Sequence, residues 1–161
     1  MALTLRSDTF PTDGPLPAVL TCEGEGRSPH LAWSGTPQNA GSLALIVDDP
    51  DAPDPRAPRR TWVHWVLYDI PPTVHELPEG ASDNLPAGTR EGVNDSHQLG
   101  YGPPCPPIGR HRYVFKLYAL DRTFPELDEP SKDELVEAMQ GHILARAQII
   151  GTYEKQSGGR R

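Results

Sequence analysis

Basic residues are scarce here and never gather into a stripe: 15 Lys and Arg stand against 22 Asp and Glu, for a formal charge of −7. Nucleic-acid binders ordinarily carry such a stripe, so nucleic-acid partners are not expected. The small excess at Arg56, Arg59 and Arg60 reads as a solvated loop, and Arg160 with Arg161 as a loose polar tail. Net acidity also argues against stable attachment to an anionic membrane. No run approaches the roughly 20 apolar residues that span a bilayer. Met1 to Phe10 contains Arg6 and Asp8 and lacks the apolar segment of a signal peptide, which implies a cytoplasmic protein. Cysteine is nearly absent. Cys22 and Cys105 lack the paired spacing of a structural zinc site, and in the cytoplasm both are expected to stay reduced. Neither an H-E-x-x-H helix motif nor a G-x-S-x-G elbow is present.

Proline and glycine, by contrast, are abundant, at 19 and 15 of 161 residues. They cluster between clear apolar runs, which predicts a compact protein with stiff loops rather than disorder. The length fits one domain, 1–161. Ser42 to Asp48 (SLALIVD), Thr61 to Ile70 (TWVHWVLYDI) and His111 to Leu120 (HRYVFKLYAL) read as strands, apolar enough to be covered on both faces. A helix is predicted from Ser131 to about Ala147. It opens on an S-x-x-E capping box, and Leu135, Met139, Ile143 and Ala147 follow at four-residue steps. Gln148 to Tyr153 then reads as a last strand.

Two Pro-rich loops, Asp49 to Arg60 and Gly100 to Gly109, each abut a strand that bears a histidine. Rigid loops on a sheet are where sites usually sit. Strict alternation places Trp62, His64 and Val66 on one face of their strand, and His111, Tyr113 and Phe115 on one face of theirs. Asp49 and Asp51 flank Pro50 at the exit of the first strand, so two carboxylates, two imidazoles and a phenol can converge. Each also has a plain structural reading. Asp-Pro starts turns, His64 sits among aromatics as a core histidine would, and His111 can be a strand-edge residue. His30, His75 and His142 read as surface or structural, and Trp33 and Trp65 as core.

Asp49-Pro50-Asp51-Ala52-Pro53 followed by Trp62-Val63-His64-Trp65 resembles the first signature of the phosphatidylethanolamine-binding protein family. Gly92-Val93-Asn94-Asp95, Gly100-Tyr101-Gly102-Pro103-Pro104-Cys105-Pro106-Pro107, Gly109 and His111-Arg112-Tyr113 resemble the second. Gly141-His142-Ile143-Leu144-Ala145 and Gly151-Thr152-Tyr153 are similar to the end of its short bacterial and archaeal, Raf-kinase-inhibitor-like branch. The likeness runs from about Leu43 to Tyr153. It implies a mostly β, Greek-key fold with a large central antiparallel sheet, a smaller second sheet and one or two helices. It also implies a non-enzymatic pocket for phosphate-bearing or other anionic groups. Asp49, Asp51, Trp62, His64, His111 and Tyr113 match its pocket residues, and Pro106 and Pro107 its rim. Partners implied by the family are a small anionic ligand, a protein such as a kinase, and a second copy in a homodimer; no cofactor and no metal are implied. Where the bacterial pattern has a Phe-Gly pair, Ser96-His97-Gln98-Leu99 stand here.

Bare carboxylates repel phosphate, so Asp49 and Asp51 are expected to act indirectly, by orienting His64 and His111 and raising their pKa. The imidazolium groups, the Tyr113 hydroxyl and loop N–H groups would then meet the oxygens. An aminoethyl group could use a carboxylate or the face of Trp62. Two other chemistries use the same residues. Asp49, Asp51, His64 and His111 form an adequate ligand set for a metallohydrolase. Ser96 with His97, or Cys105 with His111, would make a hydrolase nucleophile pair.

Overall fold

The computed structural model describes residues 2–155; Arg160, Arg161 and the rest of the polar tail lie outside them. Eight strands and one α-helix follow in the order β1 (Thr4–Arg6), β2 (Leu31–Ser34), β3 (Ser42–Ala52), β4 (Arg60–Ile70), β5 (Glu76–Leu77), β6 (Arg90–Glu91), β7 (Arg110–Leu120), α1 (Lys132–Met139) and β8 (Ile143–Glu154). The large sheet is antiparallel with strand order β6-β4-β3-β7-β8, and the small one has the order β1-β2-β5. The mostly β fold, with a large sheet, a smaller sheet and a helix, is the one the sequence implies.

The three long apolar runs form the centre of the large sheet, and both of its faces are covered. On one face Leu43, Leu45, Val47, Trp65, Leu67 and Phe115 pack against Leu5, Leu31, Trp33 and Leu77 of the small sheet. On the other, Ala44, Ile46, Val63, Val66 and Tyr68 pack against Leu135 and Met139 of α1. Each such buried aliphatic or aromatic side chain contributes on the order of 1.5–3 kcal/mol. Buried Asp48 also points to the helix side. It accepts from Lys116 Nζ at 3.0 Å and from Lys132 Nζ at 2.6 Å, which ties the start of α1 to the sheet.

Two expectations about these elements fail. The first is the length of the helix. Its capping box is present, with Glu134 N donating to Ser131 Oγ and Ser131 N donating to Glu134 Oε1, but α1 ends at Met139. Gly141 turns the chain at φ +82°, and residues 143–154 run as an edge strand paired to β7. A step of four residues is also two steps of two. Ala145, Ala147 and Ile149 reach the core by strand alternation, so the apparent stripe continues through a change of structure. The second is the face of Val66. The register slips between Val47↔Trp65 and Asp48↔Val63, leaving His64 as an extra residue on β4. This bulge reverses the alternation. His64 and Trp65 therefore both turn away from α1, while Val63 and Val66 face it.

The two cysteines are not reduced thiols: Cys22 and Cys105, 83 residues apart, form a disulfide. Their pairing is a property of the fold, which brings the segment after the 3₁₀ turn Ala18–Leu20 against the Pro-rich loop before β7. Cys22 N also donates to Pro104 O at 3.0 Å. No helix among the described residues is long and apolar enough to cross a membrane.

Candidate functional site

The antiparallel order places the exit of β3 and the entries of β4 and β7 at one end of the large sheet. A cavity of about 320 Å³ opens there, lined by Asp49, Ala52, Pro53, Trp62, His64, Ser96, Pro103, Cys105, Pro106, Pro107, His111 and Tyr113. Every residue expected at the site lines it except Asp51.

Asp49 and His111 form the buried floor. One carboxylate oxygen of Asp49 accepts from the Asp51 amide at 2.7 Å, closing the Asp-Pro-Asp turn. The turn-forming reading of Asp49 therefore holds alongside its place in the cavity. The other oxygen lies 2.5 Å from His111 Nδ1, while His111 Nε2 lies 2.8 Å from the Ile108 carbonyl. A carboxylate and a carbonyl both accept, so these two contacts require two protons. One lies on Nε2 and one between Nδ1 and the carboxylate. Wherever the second proton sits, the pair carries no net charge.

His64 is fixed by the rim rather than by an acid. Its Nδ1 donates to the Gly102 carbonyl at 2.8 Å, and the Gly102 amide donates back to the His64 carbonyl at 2.7 Å. Nε2 makes no hydrogen bond among the described residues, and His64 lines the cavity. Burial pushes the imidazole below its ordinary pKa; the Gly102 bond and the carboxylates of Asp49, Asp48 and Asp95 only partly offset that. The expected rise at His64 is thus reversed, because desolvation outweighs carboxylates that are already paired elsewhere. Tyr113 lies between the two histidines, edge-on to His64 and stacked on His111. Burial raises its pKa, so the hydroxyl, open to the cavity, remains a donor.

Asp51 has a different role from the one expected. Its carboxylate accepts from the Arg112 amide at 2.9 Å and from the Arg112 guanidinium at 3.0 and 2.9 Å. It pins β7 to the end of β3 and orients neither histidine. Trp62 carries the Arg60 guanidinium over its ring at 4.7 Å, so one aromatic face is occupied by the protein's own cation. The Gly92-Val93-Asn94-Asp95 motif builds the wall. Asn94 Oδ1 accepts from the amides of Ser96 and Gln98, Asn94 Nδ2 donates to Gly100 O, and Asp95 Oδ2 accepts from Val63 N beside the bulge.

Sequence reasoning passed over Pro103 and Cys105, which line the cavity beside Pro106 and Pro107, and missed Ser96, Ala52 and Pro53. The stretch Ser96 to Leu99, where the bacterial pattern is broken, pointed to Ser96; Ala52 and Pro53 stand inside the Asp-Pro-Asp-Ala-Pro motif itself. His97 is exposed, held at φ +62°, and does not line the cavity.

Neither the metal centre nor the cysteine nucleophile is assembled. Both nitrogens of His111 are engaged and Asp51 is spent on Arg112, so the proposed metal ligands do not converge. Among the described residues no group of three or more His, Cys, Asp or Glu is placed to hold a metal ion. Cys105 is bridged and cannot be a nucleophile.

Known proteins match this arrangement over nearly the whole chain. A family model described as phosphatidylethanolamine-binding protein matches residues 6–154, a wider span than the motifs alone. A UPF0098 protein of Methanothermobacter thermautotrophicus is 46% identical over 155 residues, covering 95% of this chain and 99% of that one. The crystal structure of CT736 of Chlamydia trachomatis, described as a homologue of the family, superposes with a TM-score of 0.88 at 42% identity, covering 96% of this chain and 99% of that one. That of YbcL of E. coli, described as a new member of the mammalian PEBP family, gives 0.86 at 34% identity, covering 97% of this chain and all of that one (100%). This chain therefore belongs to the phosphatidylethanolamine-binding protein family.

Proposed function

We propose that the chain binds a small phosphate-bearing or other oxyanionic ligand in this cavity, without chemical turnover. The carrying observation is that His64 and Tyr113 line the cavity between walls of proline and the ring of Trp62, with His64 Nε2 and the Tyr113 hydroxyl hydrogen-bonded to no described residue. Unpaired polar groups in an otherwise apolar cleft are what a ligand site requires, since they fix orientation while the walls exclude water. Proline walls reduce the ordering cost on binding. The floor contributes shape rather than charge, because Asp49 and His111 neutralise each other. Modest affinity follows, with each hydrogen bond to an ionised group contributing on the order of 1.5–3 kcal/mol.

A phosphorylated side chain of a protein partner presents the same group, and this is the route by which such a pocket would modulate a kinase or another signalling protein. The disulfide removes the argument from reduced thiols for a cytoplasmic setting.

Isothermal titration of the wild type and His64→Ala with phosphate and phosphoethanolamine tests the reading. Binding by the wild type and loss in the variant are expected. Absence of binding by the wild type would sink it.

A further inference from the structure

We propose that His64 makes this pocket selective for oxyacids that still carry a proton, phosphate and its monoesters, over sulfate and phosphodiesters, which carry none. The inference rests on the reading of the cavity as an oxyanion site and specifies what that site accepts.

Hydrogen-bond bookkeeping carries it. Nδ1 of His64 faces a carbonyl at 2.8 Å, and a carbonyl only accepts, so the ring proton is held at Nδ1. The return bond from the Gly102 amide to the His64 main-chain carbonyl holds the Gly102 carbonyl in place beside Nδ1. In a neutral imidazole with its proton there, Nε2 presents a lone pair to the cavity. Beside the two histidines the pocket therefore presents an acceptor, His64 Nε2, and a lasting donor, the Tyr113 hydroxyl. Ser96, at the mouth, can play either part and does not discriminate.

The groups around His64 do not supply a second donor. Asp49 lies near it on β3 and Asp48 acts on it from the helix side of that strand, Asp95 from the loop after β6, and Tyr113 from β7 with His111 stacked behind it. Asp48 is held by Lys116 and Lys132, Asp95 lies 3.5 Å from Arg60, and Asp49 is neutralised by His111. Each charge is already matched. The ring, 6% exposed, gains a proton only at a desolvation cost.

An oxyanion without a proton meets the Nε2 lone pair head-on, and it binds only if the protein first takes up a proton. A phosphate or phosphomonoester monoanion brings that proton itself. Its P–O–H donates to Nε2 while another oxygen accepts from Tyr113. Monoesters lose their second proton near pH 6, so this form is present in quantity under mildly acid to neutral conditions. A phosphodiester, the linkage of a phosphatidyl headgroup, has no such hydroxyl. The pocket thus favours a free phosphate or a terminal monoester over an intact lipid headgroup.

The test is titration calorimetry of the full chain with inorganic phosphate, methyl phosphate, sulfate and dimethyl phosphate, at about pH 7 and about pH 5.5. Each titration is run in two buffers of different ionisation enthalpy, to count protons. At the higher pH, phosphate and methyl phosphate are expected to bind at least about tenfold more tightly than the other two, the cost of one mismatched buried hydrogen bond. At the lower pH the gap should shrink, sulfate binding with uptake of about one proton as His64 charges. His64→Gln, whose side chain offers a permanent donor, should accept sulfate and lose the pH dependence. Equal, pH-independent binding of all four by the wild type would overturn the selectivity and leave the oxyanion pocket standing. Failure of all four to bind would overturn the pocket itself. The wild-type comparison decides even if the glutamine variant does not fold.

Discussion

Asp49 Oδ2 and His111 Nδ1 lie 2.5 Å apart across neighbouring strands, with side-chain exposures of 4% and 1%. The contact joins the exit of β3 to the entry of β7, and the second oxygen of Asp49 is already committed to the turn at Asp51. Two buried donors therefore depend on one carboxylate. Asp49→Ala should destabilise the fold by about 2–5 kcal/mol, since both lose their acceptor. Asp49→Asn should cost far less, under about 1.5 kcal/mol. Its oxygen can take the Asp51 amide while its NH₂ donates to Nδ1, with His111 keeping the proton that serves Ile108. Urea unfolding of the two variants measures the difference. Equal losses would mean that the ionic character of the pair, rather than its proton count, holds the floor together.

Asp51 gives a pH prediction. The Arg112 guanidinium and amide hold its carboxyl below the ordinary range against the opposing effect of burial. An unfolded aspartate titrates near 3.9, approximately, so this contribution is complete above that value and disappears as pH falls through the lower, folded one. Arg112 is more than half exposed, so Arg112→Ala should lower stability by no more than about 1 kcal/mol at neutral pH. At a pH that protonates Asp51 in both states it should lower it by nothing. Unfolding free energies across the acid range check the sign, and phosphate titration should find affinity unchanged.

The disulfide separates rim from floor. Cys105 sits between Pro103 and Pro106 in the cavity wall, while Asp49, His64, His111 and Tyr113 are held by strands. Replacing both cysteines by serine should cost about 2–4 kcal/mol in stability. Phosphate affinity should fall several-fold without disappearing. Thermal unfolding and calorimetry, with and without reductant, measure the two effects separately.

Asp48 is the counterpart on the helix face. Asp48→Asn leaves Lys116 and Lys132, each about three-quarters buried, without their shared carboxylate. A loss of about 2–4 kcal/mol is expected, less than for a fully buried pair because water reaches both ammonium groups. Chemical unfolding measures it, and amide exchange should speed up first in α1.

The central strands were legible because Ser42 to Asp48, Thr61 to Ile70 and His111 to Leu120 are apolar on both faces, which nothing but a covered sheet explains. Most of the cavity was legible through motif resemblance, since composition alone left Asp49 and His64 with ordinary structural readings. What escaped was non-local or degenerate. The spacing of Met139, Ile143 and Ala147 fits a helix and a strand equally, and only Gly141 marks the change. The bulge at His64 leaves no trace in composition, yet it decides which way Val66 points. Cys22 and Cys105 are joined by the path of the chain between them, and the desolvation of His64 depends on a loop 38 residues further on.

The bridge between Cys22 and Cys105 has a further consequence for proteolysis. The exposed loop after β3 contains Arg56 and Arg59, both lying between the bridged cysteines, and offers trypsin-like proteases a place to cut. A nick there puts Asp49 in one fragment and His64, His111 and Tyr113 in the other. The fragments stay one covalent molecule, running as a single band on a gel until a reductant is added, and the pocket's two halves remain tethered for reassembly.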